Sequence, residues 1–221
     1  MQMLILANGV MEASIADRQD WLRTPDLVIA ADGGTHYALE LGLRPDHVVG
    51  DLDSLPQGLR ERLEAAGTEF HVSPPAKDET DLELALLWAA GRPGRHELWV
   101  LGAFGGRPDQ EIANLLLLAL PDLAGHRVVM WHQGWEVSLI RPGEPLTLKG
   151  DPDDRVSLVP LGGDAAGVTT AGLAFGLDDE TLIFGRARGI SNRLAAAEAK
   201  IRVTDGLLWC FHERLDSPSA E

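Results

Sequence analysis

The sequence predicts an α/β fold: an N-terminal, mostly parallel sheet with helices on both faces, plus a smaller C-terminal antiparallel β-sandwich or barrel. Three observations carry this expectation. Short apolar runs alternate with helical patterns as far as about Gln133. Beyond that point β-like segments follow one another between Gly-, Pro- and Asp-rich turns. The 221 residues are 45% hydrophobic and 24% charged, which suits one large domain or two small ones with cores to bury.

In the first half the apolar runs are 3–7, 27–31, 47–49, 70–72, 98–101 and 128–131. Helical patterns lie between them at 13–22, 35–41, 59–66, 82–90 and 112–120. Strands alternating with helices predict a parallel sheet, whose ligands bind at the carboxyl ends of its strands. The second half offers strands at 137–140, 146–149, 156–159, 182–184, 201–204 and 207–211. An alanine run at 194–199 is ambiguous between helix and strand, and the polar tail 216–221 is expected to fray. The expected domains are therefore 1–133 and 134–221.

Charge and absences narrow the function. Asp and Glu outnumber Lys and Arg by 34 to 19, giving a net charge of −15. No basic run is present, so a nucleic-acid partner is not expected, and a phosphate ligand needs a metal or local arginines. The single cysteine, Cys210, excludes intrachain disulfides and cysteine-rich zinc modules. No apolar run is long enough to span a membrane, and no basic leader precedes residues 3–7. A soluble cytoplasmic protein without a membrane partner is the expectation. None of the 24 glycines stands two residues from another, and none of the three lysines follows a glycine. Rossmann and P-loop phosphate cradles are thus missing, as are the Gly-x-Ser-x-Gly elbow and the His-Glu-x-x-His pair.

The chemistry gathers after the predicted strands. Ala31-Asp32-Gly33-Gly34 follows the second, Gly50-Asp51-Leu52-Asp53-Ser54 the third, and Lys77-Asp78-Glu79-Thr80-Asp81 the fourth. In an extended segment residues two apart share a side, so Asp51 and Asp53 can aim at one point. Acids so clustered repel one another unless a cation intervenes, and magnesium accepts one or two carboxylates plus substrate phosphates. Taken singly, each segment reads equally as a turn, and Thr80 or Asp81 as a helix cap. A fourth segment, Gly102 to Asp109, combines small residues, Arg107 and a Pro108 suited to a first helical turn; it can approach an anion. His36, His71 and His132 stand singly, without metal-ligand spacing, and carry no predicted role.

Along most of its length the chain resembles the thiamine pyrophosphokinase (thiamine diphosphokinase) family. The matching stretches, in order, are 31–34, 42–55 (GLRPDHVVGDLDSL), 77–81, 102–114, 156–161, 172–177 and 189–192. The resemblance implies an α/β catalytic domain, a smaller β domain for thiamine, and a homodimer with shared sites. It implies transfer of a diphosphoryl group from ATP to the hydroxyethyl oxygen of thiamine, with Mg2+ as cofactor and AMP released. Carried over, Asp51, Asp53 and Asp81 are the metal ligands, catalytic together with Lys77 and Arg107. Asp32, Gly33, Gly34, Lys77, Asp78, Thr80, Arg107 and Asn114 surround the nucleotide. Asp109, Phe175, Ser191 and Asn192 fall to the alcohol substrate. The sequence does not name a general base; Asp81 and Asp109 are candidates.

The chain departs from the family pattern at three places. Gln110 stands for a common histidine, Phe175-Gly176 for a larger aromatic and a frequent proline, and Arg193 for a glutamate. The departures fall mostly in the second half, so a diphosphokinase of the same scaffold acting on a pterin alcohol or a thiamine analogue remains the alternative. Two readings lie further off. One is a dehalogenase-like phosphatase built on Asp51-x-Asp53, disfavoured by Leu55 where that motif calls for Thr or Val. The other is a nucleotide-binding protein without turnover.

Overall fold

The computed structural model describes residues 1–11 and 25–214. The helix predicted at 13–22 and the tail 216–221 lie outside them. The chain divides into two compact units, Met1–His132 and Gln133–Glu221.

The first unit is built on β1 (Gln2–Leu6), β2 (Leu27–Ala31), β3 (His47–Gly50), β4 (Glu69–Val72), β5 (Glu97–Leu101) and β6 (Arg127–His132). All the pairings found among these strands are parallel, in the order β4-β3-β2-β1-β5-β6. Continuous apolar runs suit strands covered on both faces, and Met3, Ile5, Leu6, Ile29, Leu98 and Leu101 are fully buried. The chain lays β2, β3 and β4 outward on one side of β1, then crosses to place β5 on the other. The switch point between β1 and β5 is where such sheets open a binding crevice.

Four α-helices are described: α1 (Gly34–Glu40), α2 (Gln57–Ala65), α3 (Asp81–Ala90) and α4 (Pro108–Leu117). In α3, Leu82, Ala85, Leu86 and Ala89 recur at helical spacing and are buried, so this face packs on the sheet. Truncating the fully buried Leu86 to Ala costs about 2–5 kcal/mol. Thr80 is the N-cap of α3, its hydroxyl accepting from Glu83 N–H at 3.1 Å. Helix α4 starts four residues before the predicted pattern and stops at Leu117. Pro108 occupies its first turn, where a missing N–H costs nothing.

The second unit is antiparallel: β7 (Trp135–Ile140), β8 (Leu146–Lys149), β9 (Arg155–Ala171), β10 (Glu180–Leu182), β11 (Asn192–Arg193), β12 (Glu198–Arg202) and β13 (Asp205–Glu213). The order is β7-β13-β9-β12-β8, with β10 and β11 also on β9. The predicted strand at 156–159 is only the start of β9. Its glycines do not end it: Gly162 and Gly167 take positive φ, and the β13 register shifts between Asp205 and Leu207. Such a bulge lets one strand bend and pair with successive neighbours. The alanine run at 194–199 is not helical; Leu194 bridges Leu173, and β12 begins at Glu198. Alternate residues of β13, among them Leu208 and Cys210, enter a core with Val156, Leu158, Leu182 and Ile201. Burial pushes the Cys210 thiol up to about 12. Among the described residues no helix is long and apolar enough to cross a membrane.

Candidate active site

A cleft of about 310 Å³ opens at the switch point. Ala7, Asn8 and Gly9 line it after β1, Asp32 after β2, Thr80 and Asp81 at the start of α3. Gly102, Ala103, Gly105, Gly106, Arg107 and Asn114 close the far wall.

Asp32 and Asp81 line the cleft and Asp51 and Asp53 stand beside Asp32, though not as an extended segment. Leu52 takes φ 64° and buries its side chain with Ala30, Val48 and Leu55. This apolar anchor turns Asp51 and Asp53 the other way, and Asp53 N–H closes the turn on Asp51 Oδ1 at 3.2 Å. One oxygen each from Asp32, Asp51 and Asp53 lies within 4.8 Å of the others. The triad thus contains Asp32, which was expected at the nucleotide. Asp81 stands alongside: a side chain on Gly50 would come within 3.0 Å of Asp81 Oδ1 and 2.9 Å of Asp32 Cβ. Glycine at 50, with φ 148°, is what lets these groups approach. Asp81 Oδ1 itself accepts from Lys77 Nζ at 2.5 Å.

Asp32 is 8% exposed and its Oδ1 has no hydrogen-bond partner. Burial, reinforced by the charges of Asp81, Asp51 and Asp53, raises its pKa. The nearby Ser54 hydroxyl opposes the rise without reaching hydrogen-bonding geometry. A buried, unpartnered carboxylate oxygen facing two further acids is costly on its own and is relieved by a cation.

The opposite wall is a glycine turn pinned by side chains. Asn114 Nδ2 donates to Ala103 O at 2.6 Å, and Glu111 Oε1 accepts from Gly105 N–H at 2.8 Å. Arg107 folds onto Asp109 through two bonds, at 3.2 and 2.5 Å, and both side chains are exposed. That hydrogen-bonded pairing holds the Asp109 carboxyl below its usual range. Gly33 and Gly34 form the turn into α1, with the Gly34 backbone pressed against the Leu6 carbonyl. Asp78 is exposed and is not among the residues lining the cleft. Thr80 lines the cleft while capping α3.

In the second unit Phe175 is 67% exposed. Asn192 holds its backbone, and Ser191, at φ 61°, donates its N–H to Ser157 Oγ at 3.1 Å. Arg193 pairs with Asp153 at 3.2 Å, so its charge has a local partner. Sequence reading missed Asn8, Gly9 and Glu111. The first two directly follow β1, and position at the end of a central strand was the available signal. For Glu111 there was none, because its role depends on the fold of the loop it holds.

A crevice so equipped suits the class of enzymes that move phosphate groups. Known proteins narrow it. Residues 19–130 match the family model for the thiamin pyrophosphokinase catalytic domain, and residues 146–208 that for the thiamin pyrophosphokinase vitamin B1 binding domain. The chain belongs to the thiamine pyrophosphokinase family and is an enzyme, a diphosphotransferase. It is 27% identical over 208 residues to thiamine pyrophosphokinase of Bacillus subtilis (strain 168), covering 94% of this chain and 97% of that one. The crystal structure of thiamin pyrophosphokinase from Geobacillus thermodenitrificans superposes with a TM-score of 0.82 at 27% identity, over 98% of this chain and 99% of that one. Thiamin pyrophosphokinase from Candida albicans, at 15% identity and a TM-score of 0.77 over 96% and 90%, shares the fold.

Proposed function

We propose that the chain transfers the diphosphoryl group of ATP to the hydroxyethyl oxygen of thiamine, in a Mg2+-dependent reaction giving thiamine diphosphate and AMP. The observation that carries this reading is the convergence of Asp32, Asp51 and Asp53 beside the switch-point cleft. The donor set is all carboxylate oxygen, the chemistry Mg2+ prefers, and the orphaned Asp32 Oδ1 is the atom a cation satisfies. Asp32, Asp51 and Asp53 would hold the ion, with Asp81 beside them. Bound there, Mg2+ neutralises phosphate charge and polarises the phosphoryl oxygens.

The protein's part is positioning and electrostatics. Gly33, Gly34 and the Gly102–Arg107 turn bring backbone close to the nucleotide; Thr80 and Asn114 fix the walls. Lys77 and Arg107 meet charge developing on the transferred group and on the leaving AMP. For Arg107 this means leaving Asp109 for a phosphate, which offers the same forked geometry. Thiamine's flat ring is received by Phe175, with Ser191 and Asn192 shaping its mount and Asp109 reaching the alcohol. The thiamine hydroxyl attacks the β-phosphorus in line as AMP departs.

The acting assembly is a homodimer on this reading. Supporting it, Phe175, Ile183, Phe184 and Ile190 are large apolar side chains left exposed in the second unit. The test of the function is product analysis with ATP, Mg2+ and thiamine. AMP should appear in step with thiamine diphosphate, and EDTA should stop both. ADP or free phosphate as the main product overturns the proposal, as does a pterin alcohol used at least ~10-fold better.

A further inference from the structure

Away from the cleft, at the start of β3, three side chains meet that sequence spacing kept apart. The β3–β4 register sets His47 opposite Glu69 and Val49 opposite His71. Residues two apart on a strand share a face, so Glu69 and His71 both turn toward His47. His47 Nδ1 lies 3.1 Å from His71 Nε2 and 3.5 Å from Glu69 Oε2. One ligand atom from each lies within 4.8 Å of the other two. His71, which by spacing stood alone, therefore has two potential co-ligands.

The distances suit a tetrahedral ion. With metal–ligand bonds of about 2.0–2.1 Å, neighbouring ligand atoms stand about 3.4 Å apart, between the two separations observed. His47 is 6% exposed, whereas Glu69 is open to solvent and His71 half-buried. A fourth position is thus left on the solvent side for water. Burial, helped by His71 and Arg92 and opposed by Glu69 and Asp46, lowers the His47 pKa, which favours the neutral imidazole that ligates. We propose that His47, Glu69 and His71 form a binding site for a divalent transition-metal ion of the zinc type, distinct from the carboxylate cluster of the cleft. Imidazole nitrogens prefer such ions over Mg2+, which the all-oxygen cluster suits.

Arg92 is the opposing group. Its Nη2 lies 3.3 Å from His47 Nε2, and its guanidinium stacks 4.0 Å over Trp88. With a metal on Nδ1, the neutral ring carries its proton on Nε2, so Arg92 gives up that contact and keeps the stack. His47 already rests against Trp88, ring centroids 4.2 Å apart, so the imidazole is oriented before any ion arrives. The ion would tie β4, the last strand at its edge of the parallel sheet, to β3, the strand that leads into Asp51 and Asp53.

Cobalt(II) is the probe, because tetrahedral sites with nitrogen ligands absorb visible light far more strongly than octahedral carboxylate sites. Metal-stripped full-length protein titrated with cobalt should develop a visible band that saturates at one equivalent and is removed by Zn2+. His71→Gln should abolish the band, and Glu69→Gln, at an exposed position, should weaken binding at least ~10-fold. Asp51→Asn should retain the band. Circular dichroism checks that each variant is folded. The proposal is overturned if the parent protein shows no such band, if both variants of this cluster bind cobalt like the parent, or if the band follows Asp51 instead.

Discussion

Asn192 grips the backbone of Phe175 at both of its polar groups. Its Oδ1 accepts from Phe175 N–H at 3.0 Å and its Nδ2 donates to Phe175 O at 2.7 Å. Ala174 N–H bonds Arg193 O beside it, and Leu173 bridges Leu194. The ring stays largely in solvent while the main chain beneath it is fixed. An aromatic face held in this way loses little freedom on meeting a flat ligand.

Asn192→Ala removes both bonds, and because they are exposed the fold should lose about 1 kcal/mol or less. The Michaelis constant for thiamine should rise several-fold while that for ATP stays put, since the groups proposed for ATP belong to the first unit. Phe175→Ala should act in the same direction, by about 0.5–1.5 kcal/mol for the lost ring contact beyond its area. Steady-state kinetics with each substrate varied in turn measures both.

Asp51→Asn and Asp53→Asn keep shape and remove charge. Each should lower the turnover number by at least ~100-fold, on the order of 3 kcal/mol, with the circular dichroism spectrum unchanged. Near-normal rates in both variants would reduce these acids to turn residues.

Asp32 offers a pH test. Its folded-state pKa is raised above the ordinary 3.8, chiefly by burial, so the folded chain holds this proton more tightly than the unfolded one. The stabilisation that proton brings is fully present below about 3.8 and is lost as pH rises through the raised value. At neutral pH, in EDTA, Asp32→Asn should therefore melt higher than the parent, and the gap should close as pH falls toward about 4. Mg2+ should raise the parent's Tm more than the variant's. Activity should vanish in the variant even as its stability improves.

Arg107→Ala removes an exposed side chain whose partner, Asp109, is equally exposed. Such pairs contribute little to stability, so Tm should not move. The Michaelis constant for ATP should rise, and Arg107→Lys should not restore it, because a lysine lacks the planar fork.

If the active sites of the proposed homodimer are shared between subunits, mixed chains should complement. An Asp51→Asn chain combined with an Asn192→Ala chain should regain activity above the sum of the two alone. Light scattering of the parent as a fully active monomer would contradict the assembly.

The parallel sheet was legible because its strands are continuous apolar runs bounded by turns, a pattern that few other arrangements produce. Strand 27–31 matches β2 to the residue, and no end of the others shifts by more than one. Local glycine chemistry misled the reading at β9, since Gly162 and Gly163 resemble a turn but serve as a bend within a paired strand. The acid cluster was legible in outline, because carboxylates at strand ends point to the crevice. Its membership was not, because the inclusion of Asp32 depends on the bare Gly50 backbone that lets three segments converge. Arg193 stood out in the sequence as a basic residue in place of a glutamate, and only the structure pairs it with Asp153. His47 and His71, 24 residues apart, could be joined only by strand register.

Cys210 lies 1% exposed in the core of the second unit, with its thiol pushed up to about 12. At neutral pH almost none of it is thiolate, and the sulfur is out of reach of solvent, so maleimides and mild oxidants should leave it untouched. The natural chain is thus already a blank background for thiol labelling. A cysteine introduced at an exposed position outside that apolar set, such as Ala65, should take up a dye alone, giving a reporter of ligand docking without any prior removal of native sulfur.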